Sequence, residues 1–232
     1  MKVFRNLRAI LKAMESNAFK IFISERLGEI SVLLTLPKNP KAILVLAHGA
    51  GAGMAHPFME SVAEVLSDLS IACLRYNFPY MENGGRRPDP PAVAEKTVVL
   101  VMENAHGLYP ALPLFAGGKS FGGRMTSQRV AKACPDYLKG IVFFGFPLHA
   151  IGNPSMDRAA HLKEIKMPML FLQGTKDKLA EIALITKVTK GLRNAKLIKF
   201  EGADHSFKVP KQNILPDLAA AAGEWMLKYC VH

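Results

Sequence analysis

Leu112-Pro-Leu-Phe-Ala-Gly-Gly-Lys-Ser-Phe-Gly-Gly-Arg-Met125 decides how the chain is read. A short apolar run, Leu112 to Ala116, ends in Gly118-Lys119-Ser120-Phe121-Gly122, and a segment of helical character follows. G-x-S-x-G between a strand and a helix marks a turn tight enough to need glycines on both sides, with the serine held out in a strained, exposed position. A serine presented in this way is a candidate nucleophile. It needs a base, an acid to orient that base, and donors for the oxyanion that forms on attack.

Working outward, strands alternate with helices. Residues 20–24 and 30–36 read as two short strands around a turn, the antiparallel edge of a sheet. The continuous apolar run 42–47 suits a strand buried on both faces. A helix over 57–69 follows, with Pro57 in its first turn and Phe58, Val62, Val65 and Leu69 on one side. Then come a strand at 71–76, a loop at 81–91, a helix at 93–108, the strand at 112–116, and a helix at 122–133. The remainder reads as strands at 138–146, 169–172 and 195–200, a short helix at 156–164, and helices at 179–192 and 215–229. This alternation predicts an α/β fold with a mainly parallel sheet and right-handed crossovers. The expected organisation is one domain over residues 20–232, preceded by a basic segment, residues 1–19.

In such sheets ligands bind beyond the carboxyl ends of the strands, and the chemical groups fall there. His205, in Gly202-Ala-Asp-His-Ser-Phe207 after the last strand, is the preferred base. His149, after the strand ending near Phe146, is the rival. His106 and His161 fall inside predicted helices and read as surface or packing residues. Asp177, after Leu170-Phe-Leu-Gln-Gly174, is placed to hold the imidazole in the correct tautomer and to stabilise the imidazolium. Asp204, adjacent to His205, should point elsewhere and fix the loop. The order Ser120, Asp177, His205 is that of an α/β-hydrolase.

His48-Gly-Ala-Gly-Ala-Gly53, after the buried strand, offers backbone donors. The Phe121 amide paired with that of Ala50 or Gly51 is the expected oxyanion hole, each donor being worth about 3–4 kcal/mol in the transition state. His48 then reads as a structural partner of that loop. Asn77, Phe78 and Tyr80 leave another strand end and are candidate pocket residues, with His149. Arg86 and Arg87 are candidates for anchoring a substrate carboxylate, against the alternative of a solvated loop stiffened by prolines.

Two look-alikes fail on spacing. Gly118-Lys119-Ser120 imitates the end of a phosphate-binding loop, but the glycine required five residues earlier is Pro113. Gly49-Ala-Gly51 begins a dinucleotide fingerprint whose third glycine falls at Met54. The formal net charge is +11, yet lysines and arginines are scattered, with no basic stripe interleaved with aromatics. A solvated basic surface is expected, not nucleic-acid binding. Cys73, Cys134 and Cys230 form neither a disulfide framework nor a zinc spacing. No apolar run reaches membrane-spanning length, and charges interrupt the N-terminal one, so a cytoplasmic protein is the expectation.

The segments His48 to Pro57, Arg75 to Tyr80, Gly117 to Met125 and Gly202 to Phe207 together resemble the α/β-hydrolases, specifically small dienelactone-hydrolase-like members of a bacterial branch. The eukaryotic relatives of that branch include hydrolase-like subunits of a histone-acetyltransferase complex. The resemblance implies a sheet of eight strands and carries the nucleophile, acid and base onto Ser120, Asp177 and His205. Dienelactone hydrolases proper use a cysteine where this chain has Ser120. The stretch between His149 and Met167 is too short for a lid domain, so the site should be open and suited to small soluble esters. The expected chemistry is ester or related acyl hydrolysis, with thioesters, lactones and peptides as further possibilities and no metal or cofactor. A non-catalytic interaction module on the same fold is the alternative.

Overall fold

Residues 15–230 are described by the structure, a computed structural model. Most of the basic N-terminal segment lies outside them. Eight strands form one sheet: β1 (Glu15–Ser24), β2 (Gly28–Leu36), β3 (Ala42–Ala47), β4 (Ile71–Tyr76), β5 (Leu114–Lys119), β6 (Leu138–Phe144), β7 (Met169–Gly174) and β8 (Ala195–Phe200). The spatial order is β1-β2-β4-β3-β5-β6-β7-β8. β1 pairs antiparallel with β2, and β2 with β4, while every pair from β4 to β8 is parallel. The antiparallel edge and parallel body are therefore as expected, except that β1 begins at Glu15, inside the segment read as preceding the domain.

Five longer helices cover the sheet: α1 (Pro57–Asp68), α3 (Pro91–Leu108), α4 (Phe121–Lys132), α5 (Ile182–Lys190) and α6 (Leu215–Leu227). A single turn, α2 (Pro79–Glu82), and a 3-10 helix at Asp157–Glu164 complete the set. β3, β4, β6 and β7 are buried along both faces or nearly so, which is why β3 reads as an unbroken apolar run and the other three as largely apolar. Their alternate residues feed two cores. Leu44, Leu46, Phe144 and Leu172 meet α1 and α6 on one side. Val45, Leu74, Phe143 and Phe171 meet the layer containing α3 and α4 on the other.

Three element boundaries moved for local reasons. β5 runs on through Gly117 and Gly118 to Lys119, because glycines in a strand permit close approach of neighbouring backbone rather than ending it. α5 starts at Ile182 instead of 179, because the preceding residues are tied elsewhere: Leu179 N–H donates to Asp177 Oδ1 and Glu181 N–H to His149 Nε2. The 81–91 loop opens with the turn α2 and ends at α3, whose first residue is Pro91, a favoured N1 residue. The 3-10 helix is all that separates His149 from β7, and no lid domain is present between them. Among the described residues no helix is long and apolar enough to cross a membrane.

Candidate active site

Ser120 sits where β5 passes into α4, with φ 50° and ψ −112°. Left-handed backbone at a non-glycine residue is held only where its surroundings over-determine it. Here they do. A Cβ on Gly118 would lie 2.5 Å from the Ala47 carbonyl, and one on Gly122 would lie 2.6 Å from the carbonyls of both Ala47 and His48. The turn is thus packed directly against the end of β3, and both flanking glycines are required by space.

Three sequence-predicted residues from separate strand ends come together. His205 Nε2 lies 2.8 Å from Ser120 Oγ, and its Nδ1 lies 2.7 Å from Asp177 Oδ2. Asp177 is buried, while the His205 side chain retains 24% of its exposure. A buried carboxylate needs its lone pairs filled. Oδ1 accepts from the Leu179 amide at 2.8 Å, and Oδ2 also accepts from Gln173 Nε2 at 2.5 Å. Gln173 is itself buried, its Oε1 accepting from the Phe146 amide at 3.0 Å. With every other donor fixed, the remaining direction of Oδ2 points at imidazole Nδ1–H, leaving Nε2 to accept from the serine hydroxyl. Asp204 turns away, its Oδ1 taking the Ser206 and Lys208 amides and shaping the loop that bears His205.

The glycine-rich loop after β3 closes over the same space. A cavity of about 320 Å³ is lined by Gly49, Ala50, Gly51, Phe58, Ser120 and His205, among others. Buried His48 donates from Nδ1 to the Gly49 carbonyl at 2.7 Å, since its Nε2 must accept the Phe78 amide at 3.0 Å. Burial pushes its pKa down to about 4, so the ring is neutral, as that double role demands. Tyr80 Oη donates to the Ala50 carbonyl at 2.8 Å. Because N–H and C=O of one peptide unit point in opposite directions, fixing the Gly49 and Ala50 carbonyls on the His48 and Tyr80 side turns the Ala50 and Gly51 amides away from it. Among the described residues no acceptor takes the Phe121, Ala50 or Gly51 amide.

The expected pocket residues are placed differently. Phe78 is fully buried, wedged among His48, Tyr76, Tyr80 and Phe121. Tyr80 is a clamp on the glycine loop. Asn77 accepts the Met54 amide and donates to Glu82, bracing the loop from behind. His149 is buried, with Nδ1 against the Ala150 carbonyl and Nε2 receiving the Glu181 amide, so both nitrogens are committed and neither meets Ser120. Arg86 is exposed and lines neither cavity at Ser120. Arg87, with Asp89 and three prolines, lines a surface depression that adjoins one of those cavities and shares Pro88, Asp89 and Pro91 with it. These segments leave the strand end as structural supports, because the aromatic residues in them pack under the loop instead of over it.

Two contributors escaped the sequence reading. Gln173 was visible only as one polar residue in an apolar strand. Lys119, inside the serine motif, reaches under the His205 loop and donates from Nζ to the His205 carbonyl at 2.6 Å. Its ammonium sits 5.9 Å from the Phe58 ring centre and 5.4 Å from that of Phe207. Burial lowers its pKa to about 8, against the opposing pull of Asp177 and Asp204. A second Ser–His contact, Ser127 Oγ to His161 Nε2 at 2.8 Å, is of another kind. Ser127 is fully buried in α4 and also donates to the Arg124 carbonyl, so no substrate reaches it.

Residues 40–219 match the family described as alpha/beta hydrolase domain. Among solved structures, a dienelactone hydrolase from Anabaena variabilis superposes with TM-score 0.77 at 23% identity, covering 94% of this chain and 99% of that one. A lidless α/β serine hydrolase from Xanthomonas campestris gives TM-score 0.72 at 20% identity, over 92% and 94% of the two chains. Est1E from Butyrivibrio proteoclasticus, with ferulic acid bound, gives 0.70 at 18%, over 87% and 95%.

Proposed function

Since the chain belongs to the alpha/beta-hydrolase family, we propose that it is a serine hydrolase that cleaves carboxylic esters of small, soluble substrates. The observation that carries this reading is the unbroken relay from Ser120 Oγ through His205 to the buried Asp177 carboxylate. Ser120 attacks the ester carbonyl while His205 Nε2 takes its proton. Asp177, held by Gln173 and the Leu179 amide, stabilises the imidazolium so formed. Negative charge on the carbonyl oxygen is met by the Phe121 amide together with that of Ala50 or Gly51. His205 then protonates the departing alkoxide, and water, activated by the same imidazole, releases the acyl group from Ser120. The esterase-type neighbours and the absence of a lid between His149 and β7 favour small esters over long-chain lipids.

A fluorophosphonate probe tests the reading directly. Wild type is expected to be labelled at Ser120, with labelling abolished in Ser120→Ala and strongly slowed in His205→Gln. Folded wild-type protein that stays unlabelled beside a labelled control esterase overturns it. The compartment expected from sequence, the cytoplasm, is part of the same proposal and is checked by fractionation.

A further inference from the structure

A second cleft opens on the other side of Ser120. It encloses about 370 Å³ and shares Ala50, Ser120 and Leu179 with the first cavity, but its remaining wall includes Phe121, Asp89, Arg124 and Arg158. Both have largely apolar walls, and what sets the second apart is the pair of arginines, since no arginine lines the first. We propose that the second cleft is a subsite for an anionic oxygen group, carboxylate or phosphate, carried by the ester substrate, with Arg124 and Arg158 as its determinants; the proposal rests on the serine-hydrolase reading above.

The geometry supports this in three ways. Arg124 lies one turn into α4 from Ser120, its amide donating to the Ser120 carbonyl, and both residues line the same cleft. Neither arginine forms an ion pair among the described residues. Arg158 donates from Nη1 to the His149 carbonyl at 3.0 Å, which fixes its position without neutralising it. Among the described residues the one carboxylate lining the cleft is Asp89, whose Oδ2 accepts the Tyr80 amide. Two half-buried like charges side by side disfavour each other. Arg124 is accordingly lowered from its ordinary pKa, by burial first and by Arg158 second, and Arg124 helps depress neighbouring His161. An anionic group reaching both guanidinium groups removes that repulsion and offers acceptors to Arg124, whose side chain has none among the described residues, and to the N–H groups of Arg158 that do not meet His149. An ester with its carbonyl over Ser120 sends one arm into the first cavity and its charged arm into this cleft.

The test compares esters matched in shape, with proton release followed by pH-stat. On the alcohol side, 4-acetoxybutanoate and 3-acetoxypropyl phosphate are set against neutral 4-methylpentyl acetate. On the acyl side, monomethyl glutarate is set against methyl 5-methylhexanoate. The expected result is a kcat/KM at least tenfold higher for an anionic ester than for its neutral partner on one side, the arms identifying the side and the anion. In Arg124→Gln and in Arg158→Gln that ratio falls at least tenfold, mainly through KM. Equal turnover of charged and neutral partners, or a ratio unmoved in both variants, overturns the subsite.

A binding readout separates this from failure of the hydrolase reading. Ser120→Ala protein titrated calorimetrically with 4-acetoxybutanoate and with monomethyl glutarate is expected to bind one of them at least tenfold more tightly than its Arg124→Gln derivative does. Absent labelling of Ser120 with that preference intact sinks the hydrolase alone. Labelling without any charge preference sinks the subsite alone.

Discussion

Ser120→Gly should make the protein more stable than Ser120→Ala, the reverse of the usual order. At φ 50° and ψ −112°, a residue with a Cβ occupies backbone space costing of order 1–3 kcal/mol. Alanine keeps that cost and glycine removes it, while both variants lose the hydroxyl that meets His205. Against the gain stands the greater freedom of glycine in the unfolded chain, about 0.5–1 kcal/mol. The net advantage of glycine is about 1 kcal/mol, and for a domain of this size that is roughly 2–4 °C in Tm. Urea unfolding of the two variants side by side, with identical m-values, measures it. At a relaxed position near a helix start glycine would be the less stable by about 0.5–1 kcal/mol. That ordering would refute the idea that the sheet and the glycine loop force the serine into strain.

Lys119→Met is expected to be more stable at pH 7 by about 1–3 kcal/mol and less active by tenfold or more, because it deletes both a buried charge and the donor to the His205 carbonyl. The folded pKa, about 8, lies below the ordinary 10.5, so the unfolded chain holds the extra proton between those values and wild-type stability rises with pH across that window. The advantage of methionine should therefore be full below pH 8 and shrink toward pH 10.5; a difference independent of pH speaks against it. His48 works in the acid range. With its folded pKa near 4 and its unfolded value at 6.5, wild type should lose about 2–3 kcal/mol between pH 7 and pH 4.5 that His48→Gln does not lose, as denaturant unfolding at the two pH values will show. Gly117→Ala should cost more than 3 kcal/mol, since its Cβ would sit 2.0 Å from the Val142 carbonyl, whereas Gly107→Ala, with open space in α3, should gain about 0.5–1 kcal/mol. Equal thermal shifts for the two glycines would contradict the packing described.

Much of the framework was legible because its signals are local. β3, β4 and β8 begin and end at the residues the sequence reading assigns to them, and the G-x-S-x-G turn, Asp177 and His205 each announce a strand end. What was not legible depends on where side chains go after leaving the strand. Phe78 and Tyr80 look like pocket residues because they follow β4 at the correct end of the sheet. Only the packing of His48 between them and Gly49 shows that their rings face down under the loop. No pattern in the chain brings Arg124, in the helix after Ser120, to Arg158. Lys119 is hidden for a related reason, since it acts through His205, 86 residues away, and Gln173 because the bond from the Phe146 amide that orients its side chain toward Asp177 comes from 27 residues away, which periodicity cannot register.

β5 and β8 occupy unlike places in the sheet, and this has a mechanical consequence. β5 is flanked by β3 and β6, so Ser120, the proposed nucleophile, stands on a strand laddered on both sides. β8 is the last strand, laddered on one side only, and it alone leads into the loop carrying His205. In the proposed reaction the imidazole serves two oxygens in turn, that of Ser120 and that of the leaving group, and a loop hung from an outer strand yields to this small swing more readily than one hung from the centre. Compliance is thus distributed unevenly. Amide hydrogen exchange should find the β5 protons released only with global unfolding, and those of β8 through cheaper local opening.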